Sequence, residues 1–228
     1  MHGAAWPRPH WEPYPHDRPR TCCAVPGGPG LKVAVVGGTG AFGLALARRL
    51  VEAGDQVVIG SRDAERAQEK ANEVEAARGA VNEEAVRGVD IVVLATKADG
   101  ALSTAAALAE AIGATPVLSV ASDLRSTDAL SLAQRTQDVV RAPVVAGLHS
   151  LAAGKLTHGR PDEDAFVCGD DEAAKALALE LAAKVVAGRA LDAGPLASAR
   201  ALEGMTTVIV SLNKRYKGHA GIRVTGLP

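Results

Sequence analysis

The sequence predicts an α/β fold: a Rossmann-type doubly wound parallel sheet with a small, mostly helical C-terminal domain. Three observations carry this expectation. Short apolar runs alternate with helical segments from Leu31 to about Ser150. The first run, within KVAVVGGTGAFGLALARRL (Lys32 to Leu50), enters a glycine-rich turn that opens a helix. The 228 residues are 47% hydrophobic but only 3% aromatic, so the core must be Ala, Val and Leu, as in parallel sheets covered by helices.

Each element follows from local pattern. LKVAVVG is rich in Val and reads as a strand; the helix after it ends near Ala53-Gly54. QVVIG, Gln56 to Gly60, is a second strand. Asp63 to Ala77 reads as a charged amphipathic helix closed by Arg78-Gly79. VDIVVLA, Val89 to Ala95, is a third apolar run, and Asp99 to Ile112 an Ala/Leu-rich helix. TPVLSVA, Thr115 to Ala121, is strand-like, and DVVRAPVVAGLHS, Asp138 to Ser150, contains another strand. Beyond Ser150, DAFVCGDD is a short strand ending in a turn. Asp171 to Val186 forms a helix with acids at its start and Gly188 after its end. GRALDAGPL leads into a long helix from Pro195, a residue suited to a first helical position, to about Tyr216. The expected organisation is a Pro-rich, disordered leader over 1–30, a nucleotide-binding domain over 31–150 and a C-terminal domain over 151–228.

Composition narrows the function classes. A formal net charge of −1 gives no basic field for nucleic acid or an anionic membrane. No run approaches the roughly 18 apolar residues of a membrane span. The three cysteines, Cys22, Cys23 and Cys168, make neither a metal spacing nor a disulfide framework. A reducing, cytoplasmic setting is expected, without a metal. The leader holds both Trp and three of the six His but no apolar block, so it is not read as a secretory signal and is given no catalytic role.

Gly38-Thr39-Gly40-Ala41-Phe42-Gly43 fits G-x-G-x-x-G between a strand and a helix, the context that a dinucleotide site requires. Gly38 is expected to permit the tight turn, Gly40 to let a pyrophosphate approach the backbone, and Gly43 to let helix and strand pack closely. At the end of the second strand, NAD sites usually carry an acid for the ribose hydroxyls. Here Gly60-Ser61-Arg62 stands instead, with Arg66 one turn on. A carboxylate would repel a 2′-phosphate, whereas a hydroxyl and guanidinium groups bind one. NADP is therefore expected over NAD, although Asp63 follows directly and the arginines have an alternative reading as solvated surface charges. There is no Ser/His/Asp set and no metal cluster, as suits hydride transfer between two cofactors that bring their own reactivity.

Five blocks taken together, the glycine turn, VVIGSRDAERA, GLHSLAA, VCGDDEAAKALALEL and LDAGPLASARALEGMTTVIVSLNKRY, resemble the NADPH-dependent coenzyme F420 reductases, also called F420:NADP oxidoreductases. The resemblance spans about Leu31 to Leu227. It implies a Rossmann domain with a small C-terminal domain for cleft and dimerisation, commonly a homodimer, and reversible hydride transfer between NADP(H) and the deazaflavin F420. Carried over, the nucleotide contacts fall on Thr39, Gly40, Ser61, Arg62 and Arg66. The deazaflavin contacts include His149, as a positioning residue. The segments at Ala95, Thr96 and Lys97 and at Val120 border the second ring, and Gly194 and Pro195 the same cleft.

The chain also departs from that pattern. Thr96-Lys97-Ala98 stands where the family usually has an apolar residue and Pro, and SVASDLRST lacks the usual Pro-rich turn. Lys97 and Arg125 attract the phosphate or glutamyl tail of the deazaflavin, mark a different acceptor, or are loop charges without a role. An NADPH-dependent reductase of another small substrate, an imine or ketone, and a non-catalytic NADP-binding module stay open as alternatives. His149 has a second reading as a structural residue. Cys168 is read as a small buried hydrophobe, and Asp170 and Asp171 as helix-start acids, not metal ligands. Glu203 and Asn213 are left between dimer contact and cleft lining. Tyr216, Lys217 and Arg223 are read as surface groups or caps of a partner's cleft.

Overall fold

The computed structural model describes residues 30–75 and 77–227; the leader expectation falls almost wholly on residues 1–29, outside the described residues. Strands β1 (Lys32–Val36), β2 (Gln56–Ser61), β3 (Arg78–Val81), β4 (Ile91–Leu94), β5 (Val117–Ser119), β6 (Val144–Gly147), β7 (Ala165–Gly169) and β8 (Ala190–Asp192) form one sheet in the order β3-β2-β1-β4-β5-β6-β7-β8. Strands β1 to β6 run parallel; β7 turns antiparallel to β6, and β8 is parallel to β7. The first six give the doubly wound order, with its reversal between β1 and β4.

Helices cover both faces, which is why the central strands are apolar throughout. One face carries α1 (Ala41–Glu52), α6 (Ala153–His158) and α7 (Glu172–Val185), packed through Leu46, Leu50, Leu156 and Leu181. The other carries α4 (Ala98–Ile112), α5 (Leu132–Gln137) and α8 (Ala199–Tyr216), packed through Leu108, Leu132 and Leu202. Each fully buried Leu or Val contributes about 1.5–3 kcal/mol relative to exposure. The short helices α2 (Ala64–Asn72) and α3 (Asn82–Ala85) fill the edge beside β2 and β3.

The charged helix expected to Ala77 stops at Asn72, and Arg78-Gly79, read as its end, opens β3. Gly79 explains both. A Cβ there would stand 2.3 Å from the backbone of Ala67 and Gln68, so only glycine lets α2 lie on this strand. The residues after 150 are mostly helical as expected, but their strands β7 and β8 extend the same sheet. Short α5 and three-residue β8 carry too little periodicity to be read from sequence.

Two buried carboxylates tie distant segments. Asp55, with no exposed side-chain surface, accepts from Leu31 N–H at 2.9 Å and from Lys184 Nζ at 2.7 Å, joining the α1–β2 corner to α7. Asp164, equally inaccessible, accepts from Arg189 Nη2 at 2.7 Å, Arg189 N–H at 2.9 Å and Val224 N–H at 2.8 Å. This closes the heads of β7 and β8 and pins the C-terminal tail.

The Arg189 guanidinium holds the Asp164 carboxyl well below the usual carboxylate range. The resulting stability is present above the unfolded value near 3.9 and is lost as pH falls through the folded one. Asp164→Asn is expected to cost about 2–4 kcal/mol at pH 7. Chemical denaturation should show that gap narrowing below about pH 4; a gap independent of pH would contradict it.

Candidate functional site

Register sets the site. Gly60 of β2, Val36 of β1, Leu94 of β4, Ser119 of β5 and Ala146 of β6 stand level across the sheet. The residues just beyond them therefore line one carboxyl edge: Ser61, the glycine turn, Ala95 to Lys97, Val120 and the turn at His149. This is the crevice where open parallel sheets bind ligands.

The turn holds an anion site. Gly40 caps α1 without any side-chain hydrogen bond, and the first turn of α1 has no acidic residue. Its leading N–H groups, on Ala41, Phe42 and Gly43, precede the helical ladder and face outward with the positive end of the helix dipole. The tight turn itself lies one residue earlier than expected. Gly37, not Gly38, has the left-handed φ of +81°, and its Cβ would stand 2.9 Å from the Ala95 carbonyl and Thr96 N. At Gly43 a Cβ would meet the Gly37 carbonyl and Gly38 Cα at 2.8 Å, which is the close helix packing the motif predicts. At Gly40 a Cβ would meet one protein atom, Gly37 O at 3.3 Å, so the space there is open to a ligand.

At the end of β2, Asp63 is taken out of play. Its carboxylate caps α2 by accepting from Arg66 N–H at 3.0 Å. Its own N–H donates to Ser61 Oγ at 3.3 Å, leaving the Ser61 hydroxyl hydrogen free. Arg62 and Arg66 are exposed, and Arg66 shares a polar recess with Glu65 and Glu69.

On the far side of the crevice, His149 is 6% exposed and neither ring nitrogen has a hydrogen-bond partner among the described residues. Burial pushes the imidazole down to about 4, and the neighbouring Ala121 backbone only partly opposes this. The ring is therefore neutral at physiological pH. Leu148 just before it is fully buried in the left-handed region, φ 62°, a conformation costly for a branched residue. A hydroxyl relay holds this turn. Thr206 Oγ1 of α8 donates to the His149 carbonyl at 2.8 Å, and Ser122 Oγ lies 3.0 Å from Thr206 Oγ1. Since Thr206 has a single hydroxyl hydrogen, Ser122 is the donor between them.

Thr96 Oγ1 is buried and unpartnered beside the turn, while Lys97 is exposed at the start of α4. Gly194 and Pro195 do not join this group. Gly194 O accepts from Gly169 N–H at 3.0 Å, and Gly169 pairs with Val145, toward the amino end of β6. What α8 brings to His149 is Thr206, two turns into the helix. Sequence reading missed Ser122 and Thr206 because their spacing of 84 residues gives no local signal; the Gly37-Gly38 doublet did signal the turn. Glu203 is accounted for within the chain: it accepts from Leu132 N–H at 2.7 Å at the start of α5 and pairs with Arg200 at 3.2 Å. Asn213 accepts from Ala220 N–H and folds the tail back. Cys168 is buried, its thiol pushed up to about 12 by desolvation, as a small hydrophobe would be. Among the described residues no group of acids, His and Cys could hold a metal.

Two glycines separate fold from binding. Gly37→Ala should lower the melting temperature, because backbone atoms of Ala95 and Thr96, just beyond β4, occupy its Cβ space. Gly40→Ala should leave melting nearly unchanged yet weaken dinucleotide binding about tenfold, read by calorimetry. The reverse order would refute the assignment.

Comparison with known proteins agrees with this geometry. Residues 32–123 match the family model described as NADP oxidoreductase, coenzyme F420-dependent. The F420-dependent NADP reductase of Methanothermobacter marburgensis is 35% identical over 223 residues, covering 87% of this chain and 100% of that protein. A crystal structure of a candidate F420-dependent NADP reductase from Arthrobacter sp. FB24 superposes with a TM-score of 0.77 at 25% identity, covering 86% of this chain and 100% of the other. The reductive aminase of Aspergillus terreus, solved with NADPH, shares the fold alone, with a TM-score of 0.62 at 19% identity over 83% of this chain and 63% of that one. By its glycine turn, its strand-end crevice and its identity to these relatives, the chain belongs to the coenzyme F420-dependent NADP oxidoreductases.

Proposed function

We propose that this protein transfers a hydride between NADP(H) and coenzyme F420. The observation that carries the reading is the row at the carboxyl edge. It sets an anion turn, a hydroxyl–guanidinium pair and a buried neutral imidazole along one crevice, in a chain of this family. When bound, the two cofactors supply the hydride donor and acceptor.

The protein supplies placement. First-turn N–H groups of α1 hold the pyrophosphate, and Ser61, Arg62 and Arg66 take the 2′-phosphate. Ala95 and Thr96 back the nicotinamide edge, with the unpartnered Thr96 hydroxyl available to a polar group. Val120 and the His149 turn face the second ring. A neutral imidazole has one donor and one acceptor nitrogen, so His149 orients by hydrogen bonding and does not act as a charged acid. Hydride transfer needs no protein nucleophile; it needs two rings held in contact and water kept out. In this reading 31–150 carries the nucleotide, and 151–228 completes the cleft through α8. Lys97 and Arg125, both exposed, follow the ends of β4 and β5 and are available to a charged part of the acceptor.

The reading extends to a homodimer. Val208, Leu212 and Tyr216 follow one another at four-residue spacing on α8 and are 58%, 41% and 72% exposed. Such an exposed apolar stripe suits a second copy of the chain. No described helix is long and apolar enough to cross a membrane, and a cytoplasmic location fits the cofactors. Reduction of an imine or ketone is the second reading, favoured only by the polar Thr96-Lys97 pair.

Two measurements test the assignment. Protein mixed with NADPH and oxidised F420 should bleach the deazaflavin absorbance; NADPH binding without bleaching would favour the second reading. Arg62→Ala should raise the NADPH dissociation constant roughly tenfold or more and leave NADH unchanged. Arg66→Ala, beside two carboxylates, should do less, and equal affinities of the native protein for NADPH and NADH would remove the 2′-phosphate assignment.

His149 is tested separately. His149→Ala should raise KM for the deazaflavin, and the native activity between pH 6 and 8 should show no inflection from this imidazole. Unchanged kcat and KM would exclude the contact.

A further inference from the structure

Two exposed cations follow strand ends at the crevice, Lys97 after β4 and Arg125 after β5. Their neighbours differ. β4 is hydrogen-bonded directly to β1, whereas β6, which leads to His149, stands two strands away. Adjacent strands lie about 4.8 Å apart, so the end of β4 is about 5 Å sideways from the end of β1 and about 10 Å from that of β6. The glycine turn comes closer still, because a Cβ at Gly37 would stand 2.9 Å from Thr96 N. Lys97 is the next residue, its Cα about 3.8 Å from that of Thr96. The turn is thus within reach of a flexible lysine stem, and the His149 turn lies farther off.

Nothing in the fold asks for a lysine here. Lys97 is the N-cap of α4, and its side chain makes no capping hydrogen bond. Ser, Thr, Asp and Asn suit that position. A cation there faces the positive end of the helix dipole, at a cost of about 0.3–1 kcal/mol. Among the described residues its ammonium pairs with no carboxylate. Asp99, in the first turn of α4, is two residues on, a spacing that does not bring helical side chains together. A residue that breaks a local rule with no structural gain points to a ligand.

The glycine turn supplies the matching need. From Gly37 to Gly43 it has no charged side chain, so its own donors to an anion are backbone N–H groups. A dinucleotide pyrophosphate bears a negative charge on each phosphate. Arg62 and Arg66 follow β2, on the far side of β1, where the 2′-phosphate is assigned. We propose that the Lys97 ammonium pairs with the pyrophosphate held by the turn, as a further dinucleotide-binding residue. Lysine serves phosphate as a compact point charge and needs no bidentate geometry. This inference rests on the dinucleotide half of the function proposed above and is independent of the acceptor.

Calorimetry on the full chain tests it, with NADPH, NADH and adenosine 2′-monophosphate. Lys97→Ala should weaken NADPH and NADH by the same factor, about fivefold or more, since both contain the pyrophosphate. Adenosine 2′-monophosphate, which lacks it, should bind as before. Lys97→Arg keeps the charge and should retain most of the affinity. The gap between native protein and Lys97→Ala should narrow as salt is raised, because the pair is exposed. Unchanged affinity for both dinucleotides, a loss confined to NADPH, an equal loss with adenosine 2′-monophosphate, or an equal loss in Lys97→Arg would overturn the proposal. A raised KM for the deazaflavin at unchanged dinucleotide affinity would overturn it too and assign Lys97 to the acceptor. Native protein that binds NADPH but never reduces deazaflavin would defeat the proposed acceptor, and calorimetry would still decide Lys97. Native protein that binds neither dinucleotide would defeat both.

Discussion

The structure turns on one close approach. Where β1 ends, the backbone at Gly37 passes within contact of the Ala95 carbonyl and Thr96 N–H, leaving no room for a side chain. This approach lets the chain bend from β1 into α1 while β4 stays paired beside it. It places the free N–H groups of α1 over the point where the strand order reverses. A left-handed φ and a filled Cβ space coincide there, so two independent reasons demand glycine. Parallel pairing then carries the level of Val36 outward to Gly60 on one side and to Ala146 on the other. Ser61 and His149 thus inherit their places from a turn that touches neither.

Much of this was legible in the sequence. The strand–turn–helix order, the row of strand ends and the Ser61-Arg62 departure from an acidic partner are all local patterns, and local patterns survive folding. The shift of the turn from Gly38 to Gly37 is a small misreading of a doublet in which both glycines are required. Gly38 has no side chain because a Cβ would meet Val35 O at 2.8 Å, not because of its φ. The harder losses are non-local. Gly79 looked like a helix stop, since the sequence does not show that a helix lies across it. The resemblance set Gly194 and Pro195 beside the cleft, yet Gly194 stands toward the amino end of β6, and α8 meets the His149 turn at Thr206. Nothing in the spacing of Ser122 and Thr206 announces that they touch.

The polar groups at the crevice are unequal, and the inequality has a meaning. Some buried polar groups are fully matched: Asp164 takes four donors, and Glu203 caps one helix from another. At the crevice, Thr96 Oγ1 and both nitrogens of His149 are left without partners. Each such group forgoes about 1–3 kcal/mol. A core could replace them with apolar atoms of the same shape at little cost. Both residues follow strand ends on the edge that also carries the anion turn, where a bound ligand would complete them.

Leu148 shows how the incomplete site is kept in shape. Its left-handed backbone costs about 1–2 kcal/mol, which the burial of its side chain roughly offsets. The relay from Ser122 through Thr206 to the His149 carbonyl adds about 1 kcal/mol per bond. It acts on the backbone of His149 and leaves the imidazole alone. The protein thus fixes where the ring stands without using either of its nitrogens. Had Thr206 bonded the ring instead, the turn would be equally rigid and the site less able to hydrogen-bond a cofactor. Order at this edge comes from the backbone, and binding capacity is kept in the side chain.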